Sequence, residues 1–146
     1  MPPRVLVVDD HPIVRQALRT LLEQNGLDVV GEARDGAEAL RLAWELCADV
    51  VVLDVTRPIS ICLDAAREIV RTVPLKGVIL VAFEDYLVAR ALQAGVRGYV
   101  LKTRVVEELP LAIRTVARGE IYVSPGIFPA VVEAGLTAIA HLPSGT

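Results

Sequence analysis

Much of what would point to a membrane, a nucleic acid or a metal cage is missing from this chain of 146 residues. No apolar run approaches the roughly 18 residues that a membrane span needs. Positive charge is not in excess: 15 Lys and Arg stand against 18 Asp and Glu, a net charge of −3. Phosphate contacts require a basic surface, so nucleic-acid binding by this chain alone is not expected. The start, MPPRVLVVDD, lacks signal-peptide architecture because acids follow the apolar run at once. Cysteine is scarce. Cys47 and Cys62 show neither metal spacing nor a CxxC motif, and they read as reduced thiols of a cytoplasmic protein.

What is present is apolar: 53% of residues are hydrophobic and the mean hydropathy is +0.51. A sheet buried on both faces accounts for this, because its strands read as continuous Val/Ile/Leu runs. Runs at 4–9, 27–33, 49–54, 77–83 and 97–102 alternate with segments of helical period at 11–26, 35–47, 63–73, 85–95 and 106–119. Pro12 suits a first helical turn, Gly26 a helix stop, and Asp35 with Glu38 a capping box. Five βα units in series predict an α/β fold, a parallel sheet with helices on both faces. Pro110 conflicts with a helix running from Val106, and a start nearer Leu109 removes the conflict.

In such sheets ligands bind beyond the carboxyl ends of the strands, where strand order reverses. Asp9 and Asp10 end the first run, Asp54 ends the third, and Lys102 ends the fifth. Three carboxylates in one crevice repel unless a cation or a proton intervenes. Mg²⁺ favours such oxygen donors. With a lysine added, the set suits uptake of a phosphoryl group by in-line attack of a carboxylate. His11 reads as a helix-entry residue beside this pocket rather than a metal ligand.

The segments RVLVVDDHPIVRQALRTLLE, VVGEARDGAEALRLA, DVVVLDVTRP, ALQAGVRGYVLK and AIRTVARGEIYVSP resemble, in order and place, the receiver domain of bacterial response regulators of the NarL/FixJ type. The resemblance implies a doubly wound (βα)5, flavodoxin-like receiver with strand order 2-1-3-4-5. It implies that Asp54 accepts a phosphoryl group from a sensor histidine kinase, in a self-catalysed transfer rather than as a conventional enzyme. Asp10 would ligate Mg²⁺ directly, Asp9 through water, and the backbone carbonyl of Thr56 would be the remaining protein ligand. Lys102 would pair with the phosphoryl group, Pro58 is the loop proline, and Tyr99 matches the aromatic switch that turns inward on phosphorylation. A haloacid-dehalogenase-type phosphatase would need a second Asp where Thr56 stands.

Departures from the family pattern cluster near the same face. The fourth strand normally ends in Thr or Ser, whereas here Val81 or Ala82 occupies that position, depending on a one-residue gap. Loss of the hydroxyl forfeits a charge-assisted bond of roughly 1.5–3 kcal/mol, against about 5.5 kcal/mol for a full population shift. After Asp54 the loop reads Arg57-Pro58-Ile59-Ser60-Ile61-Cys62, with Cys62 where the family has glycine, so a backbone path other than φ > 0 is expected. A working phosphoacceptor and an atypical receiver acting as a phosphorylation-independent interaction module both fit this pattern.

The division expected is a receiver over 1–119 and a linker with a C-terminal apolar helix over 120–146. From Ile127 to Leu142 only Glu133 is charged. That segment reads either as a helix packed on the domain or as a self-association surface, and homodimerisation through it or through the last helices is open. The residues after Gly119 are too few for a helix-turn-helix domain, which suggests a stand-alone receiver or one excised from a longer regulator.

Overall fold

The computed structural model describes residues 1–127; the apolar stretch 128–142 lies outside them. The elements run β1 (Arg4–Val8), α1 (Pro12–Gln24), β2 (Asp28–Ala33), α2 (Gly36–Glu45), β3 (Val50–Asp54), α3 (Ile59–Thr72), β4 (Gly77–Ala82), α4 (Val88–Gln93), β5 (Gly98–Leu101), α5 (Val105–Ala117) and β6 (Tyr122–Val123). The strands pair in parallel in the order β2-β1-β3-β4-β5-β6. The order expected for the first five is what the sheet shows. β6 is an addition.

Side chains alternate across the sheet and so build two cores. Leu6, Val8, Val51, Leu53, Leu80 and Ala82 face the small residues of α2 and α3 and the start of α4. Val5, Val7, Val50, Val52, Ile79 and Val81 face Leu18 and Leu22 of α1 and the Leu109–Val116 stripe of α5. Strands β3 and β4 are buried along their whole length, which is why their sequences are unbroken apolar runs. The Asp35 carboxylate caps α2 by accepting from the Glu38 N–H at 2.9 Å, and the Glu38 carboxylate accepts from the Arg34 N–H at 3.0 Å. Gly26 closes α1 at φ +78°, the left-handed conformation that favours glycine.

Three helices differ from expectation. α3 begins at Ile59 rather than Leu63, with Pro58 extended at its N-cap. Cys62 is therefore a buried residue of the first helical turn, not a loop residue. Without the flexible glycine, the segment after Pro58 simply winds into helix. α4 spans Val88–Gln93 only, shorter at both ends than the 85–95 expected. α5 runs from Val105 straight through Pro110, not from Leu109. Pro110 removes the bond to the Val106 carbonyl, but Val106 lies exposed, where solvent satisfies that oxygen.

β6 is held through side chains as well as its two paired residues. The buried Glu108 carboxylate of α5 accepts from Ser124 Oγ at 2.6 Å, Tyr122 Oη at 3.1 Å and Arg104 Nε at 2.9 Å. Burial opposes its ionisation, yet these donors hold the carboxyl below its ordinary range. Ser124 Oγ in turn accepts from the Leu101 N–H at 3.0 Å, so the segment after Gly119 is fastened to the end of β5.

Candidate functional site

The strand order reverses between β1 and β3: α1 leads outward to β2, and α2 returns to β3 on the other side of β1. Asp9 and Asp10 leave β1 here and Asp54 is the last residue of β3. They line a cavity of about 170 Å³ together with Thr56, Ile61 and Cys62. The site lies where the topology alone would place it.

Asp9 is 3% exposed and Asp54 9%, which makes them expensive to ionise together. Asp9 Oδ1 accepts from the His11 N–H at 2.7 Å. Its other oxygen, Oδ2, is buried without any hydrogen-bond partner among the described residues. Lys102 Nζ reaches Asp54 Oδ1 at 2.9 Å and the Val55 carbonyl at 3.5 Å. Burial is the main cause that pushes the Asp54 carboxyl up to about 7, with the neighbouring Asp9 adding to it and Lys102 opposing it. Asp9 moves the other way. Burial works against its ionisation, but the neighbouring Asp54 and the His11 N–H together hold it below the ordinary range. The opposed shifts place a proton held by the pair on Asp54 rather than on Asp9.

An orphaned buried carboxylate oxygen beside two further carboxylates is a donor set that fits a hard divalent cation. Asp10 is more exposed, and its Oδ1 lies 2.8 Å from His11 Nδ1. Candidate ligand atoms of Asp9, Asp10 and His11 lie within 4.8 Å of one another. His11 is also the N-cap residue of α1, the helix-entry position expected for it. Arg15 supports the acids from behind, donating to the Asp9 carbonyl at 2.7 Å and pairing with Glu32 at 3.3 Å.

The opposite wall is apolar. Val81 pairs with Asp54 across β3 and β4, and its carbonyl accepts the Val55 N–H at 2.8 Å. Val81 and Ala82 are both buried, and neither offers a hydroxyl. Tyr99 is fully buried, turned inward, and its hydroxyl donates to the Glu84 carbonyl; burial pushes its phenol well above the usual range. Glu84 also pairs with Arg57 at 3.5 Å, which ties the turn after β3 to the turn after β4. Cys62 points its thiol at the Asp54 carbonyl, 4.0 Å away. Burial pushes that thiol up, which keeps it protonated and inert.

One contact was not foreseen. The Lys102 ammonium sits over the Phe83 ring, 4.5 Å from its centroid. Parallel pairing of Ala82 with Leu101 puts the next residues, Phe83 and Lys102, side by side. That register is the signal which would have found it.

Comparison with known proteins decides the family. The model of the response regulator receiver domain matches residues 5–114. The chain belongs to that family. It is 44% identical over 127 residues to the response regulator GacA of Pseudomonas aeruginosa, covering 85% of this chain and 59% of the relative. With the response regulator UvrY of Escherichia coli it shares 40% over 126 residues, covering 84% and 58%. The chain thus spans about three-fifths of the length of these relatives. A two-component response regulator of the LuxR family from Aurantimonas sp. SI85-9A1 superposes with a TM-score of 0.78 at 34% identity, covering 96% of both chains. This is a receiver domain of a two-component response regulator, and among its described residues no helix is long and apolar enough to cross a membrane.

Proposed function

We propose that Asp54 is the phosphoacceptor of a two-component relay, loaded from a phosphohistidine on a sensor histidine kinase in the cytoplasm. The observation that carries this is the Lys102–Asp54 contact of 2.9 Å at the floor of a three-carboxylate pocket. An Asp54 oxygen attacks phosphorus, the O–P bond forms, and the P–N bond of the donor breaks. Lys102 offsets charge on the transferred group and shields Asp54 from like-charge repulsion. Asp9, Asp10, Asp54 and the Thr56 carbonyl would hold Mg²⁺, which supplies neutralisation of phosphoryl charge when bound. The output is altered self-association or partner contact with a transcriptional effect. On this reading residues 1–119 act as the receiver, and β6 with Ser124 anchors the start of a linker that continues into the apolar tail.

A second reading has its own observation. Tyr99 already lies inward, bonded to Glu84, and no Thr or Ser stands at Val81 or Ala82. An interaction module that signals without phosphorylation would show that arrangement. Intact mass after incubation with acetyl phosphate and Mg²⁺ separates the two. The phosphoacceptor reading expects a single phosphoryl adduct that disappears in Asp54→Asn and with EDTA. A folded protein with no adduct supports the interaction module.

A further inference from the structure

Phe83 is 68% exposed, so packing in the core does not explain its place. Its ring is nonetheless the surface on which the Lys102 ammonium rests, 4.5 Å from the centroid, while the same nitrogen reaches Asp54 at 2.9 Å. The lysine side chain is only 22% exposed, unusual for a long, strongly hydrated arm. The residue after Phe83 is fixed twice: the Glu84 carbonyl accepts from the Tyr99 hydroxyl, and its carboxylate pairs with Arg57. The ring is therefore carried by a pinned turn rather than a loose one, and its negative face is offered to a cation.

We propose that Phe83 is a positioning residue, holding the Lys102 ammonium at Asp54 from the side of the pocket where the family's hydroxyl is missing. The proposal rests on the phosphoacceptor reading. Exposed cation–π contacts are worth little each, so the effect expected is about two- to fivefold on the rate of phosphoryl uptake, not its abolition.

Two measurements on the whole chain test this. The first is the chemical shift of the Lys102 ε-methylene in protein labelled with ¹³C-lysine, assigned by Lys102→Arg. The second is the rate of Asp54 labelling by acetyl phosphate with Mg²⁺. An upfield ring-current shift in the wild type, lost in Phe83→Leu and kept in Phe83→Tyr, is expected. The labelling rate should fall about two- to fivefold in Phe83→Leu and recover in Phe83→Tyr. Tyr86→Leu, which removes another exposed aromatic of the same turn, should change neither. If the wild type labels and Phe83→Leu labels equally fast, or its lysine shift does not move, the positioning role falls while the phosphoacceptor reading stands. If the wild type does not label at all, both fall.

Discussion

On the β1–β3 side of the pocket the groups are carboxylates and their hydrogen-bond partners, arranged as an oxygen-rich cradle with one buried oxygen left unpaired. On the β4–β5 side, Lys102 stands with Val81, Ala82 and the rings of Phe83 and Tyr99, and the Glu84–Arg57 pair closes the turn. On the phosphoacceptor reading, the first side supplies the nucleophile and the oxygen donors, while the second supplies Lys102 but no hydroxyl at Val81 or Ala82. On that reading chemistry and readout would fall on separable walls of one cavity. Both walls rest on one continuous parallel sheet, so the difference lies in side chains and not in the fold.

The comparison breaks most sharply at the residue that joins the two walls. Lys102→Ala removes the cation paired with Asp54, and phosphoryl uptake from acetyl phosphate should slow about a hundredfold, as for loss of one preorganised electrostatic donor. A loss of less than about fivefold, beyond the range of a weak exposed contact, would mean that the acidic wall works alone.

The acidic wall has its own signature in pH. With Asp54 pushed up to about 7, a cation must displace its proton, so Mg²⁺ affinity should fall about tenfold per pH unit below that value. The same shift bears on stability. A carboxyl raised on folding contributes stability that is present in acid and lost as pH rises through about 7. The metal-free protein should therefore melt lower at pH 8 than at pH 5, and Mg²⁺ should restore it at pH 8. Asp9, held below its ordinary range, acts in the opposite sense but in more acid solution, outside this window. Melting temperatures across pH with and without MgCl₂ check both signs.

The smallest effect belongs to the other wall. Tyr99→Phe deletes the bond to the Glu84 carbonyl and should cost about 1 kcal/mol of stability, measured by urea unfolding, while labelling of Asp54 changes less than twofold.

The amino-acid sequence exposed these walls unequally. Five strands were legible because strands buried on both faces leave long apolar runs, their order because the segments resemble the receiver family, and Asp9, Asp54 and Lys102 because each ends such a run. Helix starts were less so. The family pattern suggests a loop over Ile59–Cys62, whereas α3 starts at Ile59 and takes Cys62 into its first turn. Pro110 was read as a helix start, although an exposed Val106 makes a mid-helix proline tolerable. β6 escaped because two residues carry no periodicity, and its anchorage comes from Glu108, 16 residues upstream of Ser124. The Phe83–Lys102 contact escaped for a related reason: it depends on register between strands, not on spacing along the chain.

The most direct test of the two-wall account is an NMR titration with beryllofluoride and Mg²⁺, following the Lys102 side chain and the Tyr99 ring together. The account predicts a large Lys102 shift that requires Mg²⁺ and is absent in Asp54→Asn, with the Tyr99 ring resonances unmoved because the ring is already inside. A Tyr99 ring that shifts in step with Lys102 would contradict the separation of readout from chemistry, and a silent Lys102 would contradict the chemistry itself.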